Sequence, residues 1–368
     1  GGLLATLPGD LSVSGAIKIT ALTVDGETLD NVTLALDADR NAIRLKELSG
    51  SLPGRSRALF EGVFFPGKDG AELAGSLAVE TGDLRRLAQW LWPAHKDRVA
   101  RIWTGSRGRF KMQTDLGMTR SRLRLSKTQF EIDGALGTGE FSSTAGGRGA
   151  IDIRAEIEHL DLDSFIPDGV TALSARDGYG LGGVIGAVLP HDDAPDLRFT
   201  VQAGELVLNG VSARDVVLDL ASGANGLDLR TLAIGSVSGA KLEATGLILD
   251  TGAGPDGSIG LDITAEDPRG LLRLLGLVSG GTDPAWAAEL GQTGIKGNVT
   301  VKTAAGRTET GFDIEGTAAS LTLSALGTVR HGEAGAGPGI EVSARIASPE
   351  SGRLMRLAGL MPVAEDAL

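Results

Sequence analysis

The chain has 368 residues, enough for two modules of ordinary domain size. Its net charge of −12 argues against nucleic acid as a main partner. With no cysteine it carries no disulfide, zinc–thiolate site or cysteine nucleophile. Glycine supplies 55 residues and aromatics only 4%, so the apolar content is aliphatic and interrupted every few positions. Interior glycine costs a helix about 1 kcal/mol relative to alanine, which predicts many short strands and few long helices.

The first half alternates apolar and polar residues with period two. Ile17 and Ile19, then Val32, Leu34 and Leu36, then Ile43 and Leu45 each form such a series. This is the pattern of strands with one apolar and one wet face. Asp25-Gly26 marks a hairpin turn between the first two series. Asp83 then caps a predicted helix over residues 84–92, stopped by Pro93. Phe110 and Met112 resume the alternation, Ile151, Ile153 and Ile157 continue it, and a second short helix is predicted over residues 161–166. Residues 180–189 form the best apolar stretch, 10 residues long. A bilayer span needs about 20. The start at Gly1-Gly2, without Met, predicts an excised piece of a longer chain, with any anchor outside it.

The second half repeats this plan. At an offset of 184 residues, Val32, Leu34 and Leu36 meet Val216, Leu218 and Leu220, and Ile43 and Leu45 meet Leu227 and Leu229. Asp83, Arg85 and Leu87 meet Asp267, Arg269 and Leu271, predicting a helix over residues 267–276. Further on the offset becomes 189, and Ile151 and Ile153 meet Ile340 and Val342; a last helix is predicted over residues 349–361. The expected organisation is two tandem copies, 1–190 and 191–368, with a seam near the proline-bounded residues 190–195.

Eight or nine strands per copy predict a mainly β protein, an antiparallel meander with short capping helices. Sixteen to eighteen strands at about 4.8 Å span roughly 80 Å, and an open sheet that long curls or splits. Curling lines a trough with the aliphatic face, whereas a pair of filled sandwiches satisfies the same pattern.

Catalytic signals are lacking. His95, His159, His191 and His331 lack metal-ligand spacing, and there is no Gly-x-Ser-x-Gly, P-loop or His-Glu-x-x-His. Asp161 and Asp163, like Asp192 and Asp193, read as capping or solvated carboxylates, Asp161 falling at a helix start. The expectation is therefore a non-enzyme with no cofactor and no metal. One charged feature stands out: residues 96–127 carry ten Lys or Arg and two acids. Arg107, Arg109 and Lys111 share strand parity opposite Phe110 and Met112, and Arg120, Arg122 and Arg124 share parity opposite Leu123 and Leu125. This predicts a hairpin that is basic on one face. It is either a solvated strand face or a contact for anionic lipid headgroups or an acidic partner.

Residues 206–220, with Leu206-Val-Leu-Asn-Gly210 and Asp215-Val-Val-Leu-Asp-Leu220, and the phrase Asp267-Pro-Arg-Gly-Leu-Leu-Arg-Leu-Leu-Gly276 resemble the AsmA-like family of bacterial envelope proteins, relatives of TamB. The resemblance extends over nearly the whole chain, most clearly residues 197–361. It implies a periplasmic body tethered to the inner membrane by a segment this chain lacks. It further implies an elongated β-groove passing phospholipid towards the outer membrane, with acyl chains as the partner. The residues expected to line that groove are Val32, Leu34, Leu36, Ile43, Leu45, Val216, Leu218, Leu220, Leu227 and Leu229. The alternative is a non-enzymatic envelope scaffold or assembly factor with filled β cores that binds proteins along sheet edges.

Overall fold

Strand formation dominates because β-branched and leucine residues alternate with polar ones along almost every segment, a pattern that suits a pleated surface with one face shielded. The computed structural model describes residues 12–24, 26–67, 70–91, 108–163, 195–208, 210–269, 291–304, 307–330, 339–350 and 352. Its contacts separate into two units. The first is Gly1–Val170 with Arg176–Val184 and Pro195–Arg198. The second is Thr171–Ala175 and Ile185–Ala194 with Phe199–Leu368.

The first unit contains β1 (Val13–Val24), β2 (Glu27–Ala38), β3 (Ile43–Leu52), β4 (Ser56–Gly67), β5 (Gly70–Thr81), α1 (Leu84–Leu91), β6 (Phe110–Met118), β7 (Arg122–Ile132), β8 (Ala135–Thr144) and β9 (Ala150–Asp161). Each strand pairs antiparallel with the next, from β1–β2 to β8–β9. The second half supplies β10 (Asp196–Leu208), β11 (Val211–Gly223), β12 (Gly226–Val237), β13 (Ala240–Asp250), β14 (Pro255–Ala265), β15 (Thr293–Ala304), β16 (Arg307–Ala318), β17 (Leu321–Arg330) and β18 (Gly339–Ala347). From β11 to β18 these also pair antiparallel in chain order. The expected mainly β antiparallel meander is therefore observed, with eighteen strands among the described residues.

In both halves the long connection precedes the sixth strand, between β5 and β6 and between β14 and β15. Asp83 begins the first of these as an N-cap: its Oδ1 accepts the Arg86 N–H at 3.0 Å. Asp267 Oδ1 accepts the Arg269 N–H at 3.1 Å at the equivalent point. The rest of the predicted helix 267–276 lies outside the described residues, as do Trp92, nearly all of 349–361 and residues 164–166 of the helix expected over 161–166.

Packing in the first unit is concentrated at the α1 end. A Cβ on Gly54 would stand 2.6 Å from the Asp83 carbonyl oxygen, so the β3–β4 turn admits only glycine where the helix begins. Beside it, Ser56 Oγ donates to the Pro53 carbonyl at 2.6 Å, and Thr81 Oγ1 accepts the Asp83 N–H at 3.0 Å. These buried hydroxyls tie the turn, the end of β5 and the helix start together. Further along, Phe60 lies across the next strands: a Cβ on Gly62 would meet its ring at 2.5 Å and one on Gly75 at 2.8 Å. The ring fills the space those glycines leave, an arrangement that shields both. At 6% exposure Phe60 is one of three buried hydrophobic residues among the described residues of this unit, with Leu87 and Ala88 of α1.

Phe60→Ala is expected to cost about 3 kcal/mol, as for an aromatic truncated at a buried site with incomplete collapse. Phe64→Ala, on the same strand face but 36% exposed, should cost under half as much. Urea unfolding of the two variants checks the difference.

Candidate functional site

The cross-strand registers collect the aliphatic side chains on one face. In the first unit Ile17 opposes Leu34 and Ile19 opposes Val32. Leu36 opposes Leu45, and Ala38 opposes Ile43. The row continues through Phe64, Leu73, Met118 and Leu123 and ends, by way of Leu125 and Phe141, at Ile153. All five residues expected on β2 and β3 (Val32, Leu34, Leu36, Ile43, Leu45) share this face and are half-buried. The opposite face carries polar residues: Thr33 pairs with Lys18, and Lys46 Nζ sits 2.7 Å from Asp37 Oδ2.

The second unit repeats the arrangement. Leu218 opposes Leu232, Val216 opposes Ile234, Leu220 opposes Leu229, and Leu227 opposes Ile248 on β13. Leu218, Leu220 and Leu229 are half-buried, whereas Val216 and Leu227 are buried at 7% and 8% exposure. Asp219 falls on the other face, opposite Thr231.

Period-two counting misses the places where the strands bulge. The β3 register shifts between Leu45 and Leu48, so both face the aliphatic side despite a spacing of three. The same happens between Leu229 and Leu232 on β12 and between Leu125 and Thr128 on β7. Lys127, inside the β7 bulge, has a φ of 52°. Leu48 and Leu232 thus belong to the aliphatic face, and apolar residues three apart were the signal for them.

The basic residues of the hairpin divide into two groups. Lys111 lies near the α1 end, opposite Glu80 and Glu131 and 3.8 Å from the Glu80 carboxylate. Arg109 is next to it, its N–H donating to Asp133 Oδ1 at 2.7 Å. Arg120, Arg122 and Arg124 gather at the other end, around the β6–β7 turn, and are exposed. Arg107 lies outside the described residues. Around Lys111 the α1 end holds a recess of about 1070 Å³ whose rim mixes Arg55, Arg57, Arg86 and Arg109 with Glu27, Glu80, Asp83 and Glu131. Signs balance there, and Arg86 is 3.3 Å from Glu27, so the recess has no net preference for an ion.

No cluster of three or more His, Asp or Glu side chains suited to a metal occurs among the described residues. No described helix is long and apolar enough to cross a membrane. Of the histidines, only His159 lies within the described residues. No family model, no curated protein and no solved structure matches the chain.

Two carboxylates at the β2–β3 turn have lowered pKa values. Lys46, and after it Ser14, hydrogen-bond Asp37 and hold its carboxyl below the ordinary 3.8. The Asn41 and Ala42 N–H groups do the same for Asp39. A carboxyl held low in the folded chain stabilises it above the ordinary value, and that contribution is lost as pH falls below 3.8. Asp39→Ala should therefore flatten the acid limb of the stability profile, lowering the denaturant midpoint at neutral pH and leaving it unchanged in strong acid. A series of unfolding curves across that range measures it.

Proposed function

We propose that the chain is a lipid-binding segment of an AsmA-like envelope protein, two copies of one β module whose aliphatic faces shield phospholipid acyl chains during transfer between the inner and outer membranes. Its place is the periplasm, its role lies in outer-membrane biogenesis, and it performs no catalysis. The observation that carries this reading is the continuous aliphatic face of the first unit. That face runs from Ile17 on β1 to Ile153 on β9, yet only Phe60, Leu87 and Ala88 among the unit's described hydrophobic residues are buried. Side chains such as Ile17, at 55% exposure, and Leu48, at 40%, keep apolar area that a ligand chain can cover. Each methylene so covered is worth about 0.8 kcal/mol, so ten give roughly 8 kcal/mol without any polar chemistry. The placing of the long connection before the sixth strand of each half, begun by Asp83 and Asp267, supports the two-copy reading.

A photo-crosslinker replacing Leu34 or Leu218 should capture phospholipid, and one replacing Thr33 or Asp219 should not. Equal labelling on both faces would sink the groove reading.

The burial of Val216 and Leu227 favours the rival, a filled β scaffold that binds proteins, for that part of the second unit. Leu218→Asp separates the two. On a ligand-lined wall the carboxylate stays partly solvated, so lipid capture falls while the melting temperature shifts by a few degrees. In a filled core it costs several kcal/mol and the module unfolds.

A further inference from the structure

The two ends of the strands in the first unit differ. Every described buried residue of that unit lies at the α1 end or near mid-strand, and none of them lies in the half towards the β2–β3, β6–β7 and β8–β9 turns. In that uncovered half the aliphatic face ends in Val13, Phe64 and Met118, exposed at 45%, 36% and 44%. Six residues of strand at ~3.4 Å each give about 20 Å of open apolar surface behind them.

Three turns on this rim carry an arginine. Arg40 occupies the β2–β3 turn, Arg120 the β6–β7 turn and Arg148 the β8–β9 turn, with Arg122 at the start of β7. Arg148 pairs with Asp196 at 3.5 Å. No described carboxylate lies within salt-bridge distance of Arg40, Arg120 or Arg122. Of the acids near these turns, Asp37 is engaged with Lys46 and Asp39 with the N–H groups of its own turn, and Glu72 lies near the start of β5. Of the corresponding turns of the second half, residues 224–225 and 305–306 carry no charge, with Arg307 at the start of β16, and residues 331–338 carry Glu333.

We propose that this rim holds the anionic headgroup of an amphiphile whose hydrocarbon chain lies on the aliphatic face of the first unit. The inference rests on the lipid-binding reading above and adds to it a headgroup side and a charge preference. Guanidinium groups bind phosphate and carboxylate oxygens through paired N–H donors, and exposed apolar side chains beside them cover the first methylenes of the chain. The α1 end cannot serve equally, since its cations are matched by acids and its strand ends are covered.

The test uses the purified chain with two fluorescent probes of one hydrocarbon skeleton, cis-parinaric acid as its carboxylate and the neutral methyl ester. Arg40→Ser/Arg120→Ser/Arg122→Ser should weaken binding of the acid about tenfold, the loss expected for one or two charge-assisted hydrogen bonds. It should leave the ester unchanged, which also shows that the variant is folded. Arg57→Ser/Arg109→Ser, at the α1 end, should leave both probes unchanged. Equal binding of the acid by parent and triple variant overturns the inference, as does an equal loss in the α1-end variant. Displacement of the acid by inorganic phosphate in a parent that does not bind the ester would mark a site for free anions, and overturns it too. A parent that binds neither probe removes the lipid-binding reading itself, and a normal ester with an indifferent acid removes only the headgroup rim.

Discussion

Everything in this chain depends on apolar side chains meeting across neighbouring strands on one face. Directly opposed aliphatic pairs such as Ile17–Leu34, Leu36–Leu45 and Leu218–Leu232 are each worth a few tenths to 1 kcal/mol, and a meander multiplies them along its length. That lateral contact is enough to fix register, because a slip by one residue would send every leucine to the polar side. It is not enough to remove the face from water. Half-buried aliphatics from β2 to β9 keep part of the hydrophobic driving force unspent, and it is available to whatever covers them.

The fold limits the deficit where a covering element exists. At the α1 end of the first unit, Leu87 and Ala88 are buried, and the hydroxyls of Ser56 and Thr81 satisfy turn carbonyls that would otherwise be orphaned. Elsewhere on the sheet the sequence places glycine next to phenylalanine: Phe130 lies over Gly137 and Phe312 over Gly327, as Phe60 does over Gly62. High glycine content and scarce aromatics thus work together, a few rings lying flat over positions that have no side chain of their own.

The alternation of Val32, Leu34 and Leu36, and of Val216, Leu218 and Leu220, made the strands and their shared face legible, since period two depends only on backbone geometry. The Asp83 cap was readable for the same local reason. Bulges were not, because they depend on which residue the partner strand leaves unpaired; Leu48 and Leu232 joined the aliphatic face only once pairing was known. The basic hairpin was legible as composition but not as a place. Antiparallel pairing sends Lys111 to Glu80 and Glu131 at one end and Arg120 to the turn at the other, a separation that parity along one strand does not carry. Uneven burial along the ten expected face residues, with Val216 and Leu227 shielded and Leu34 not, is likewise a tertiary outcome.

An aliphatic face that is held in register but left half-covered should not remain bare when hydrocarbon is at hand. Solvent extraction of the chain purified without detergent, followed by mass spectrometry of the extract, asks this directly. The account predicts phospholipid in near-stoichiometric amount with the folded protein. A cooperatively folded chain that carries no lipid, and takes none up when offered phospholipid vesicles, would contradict it.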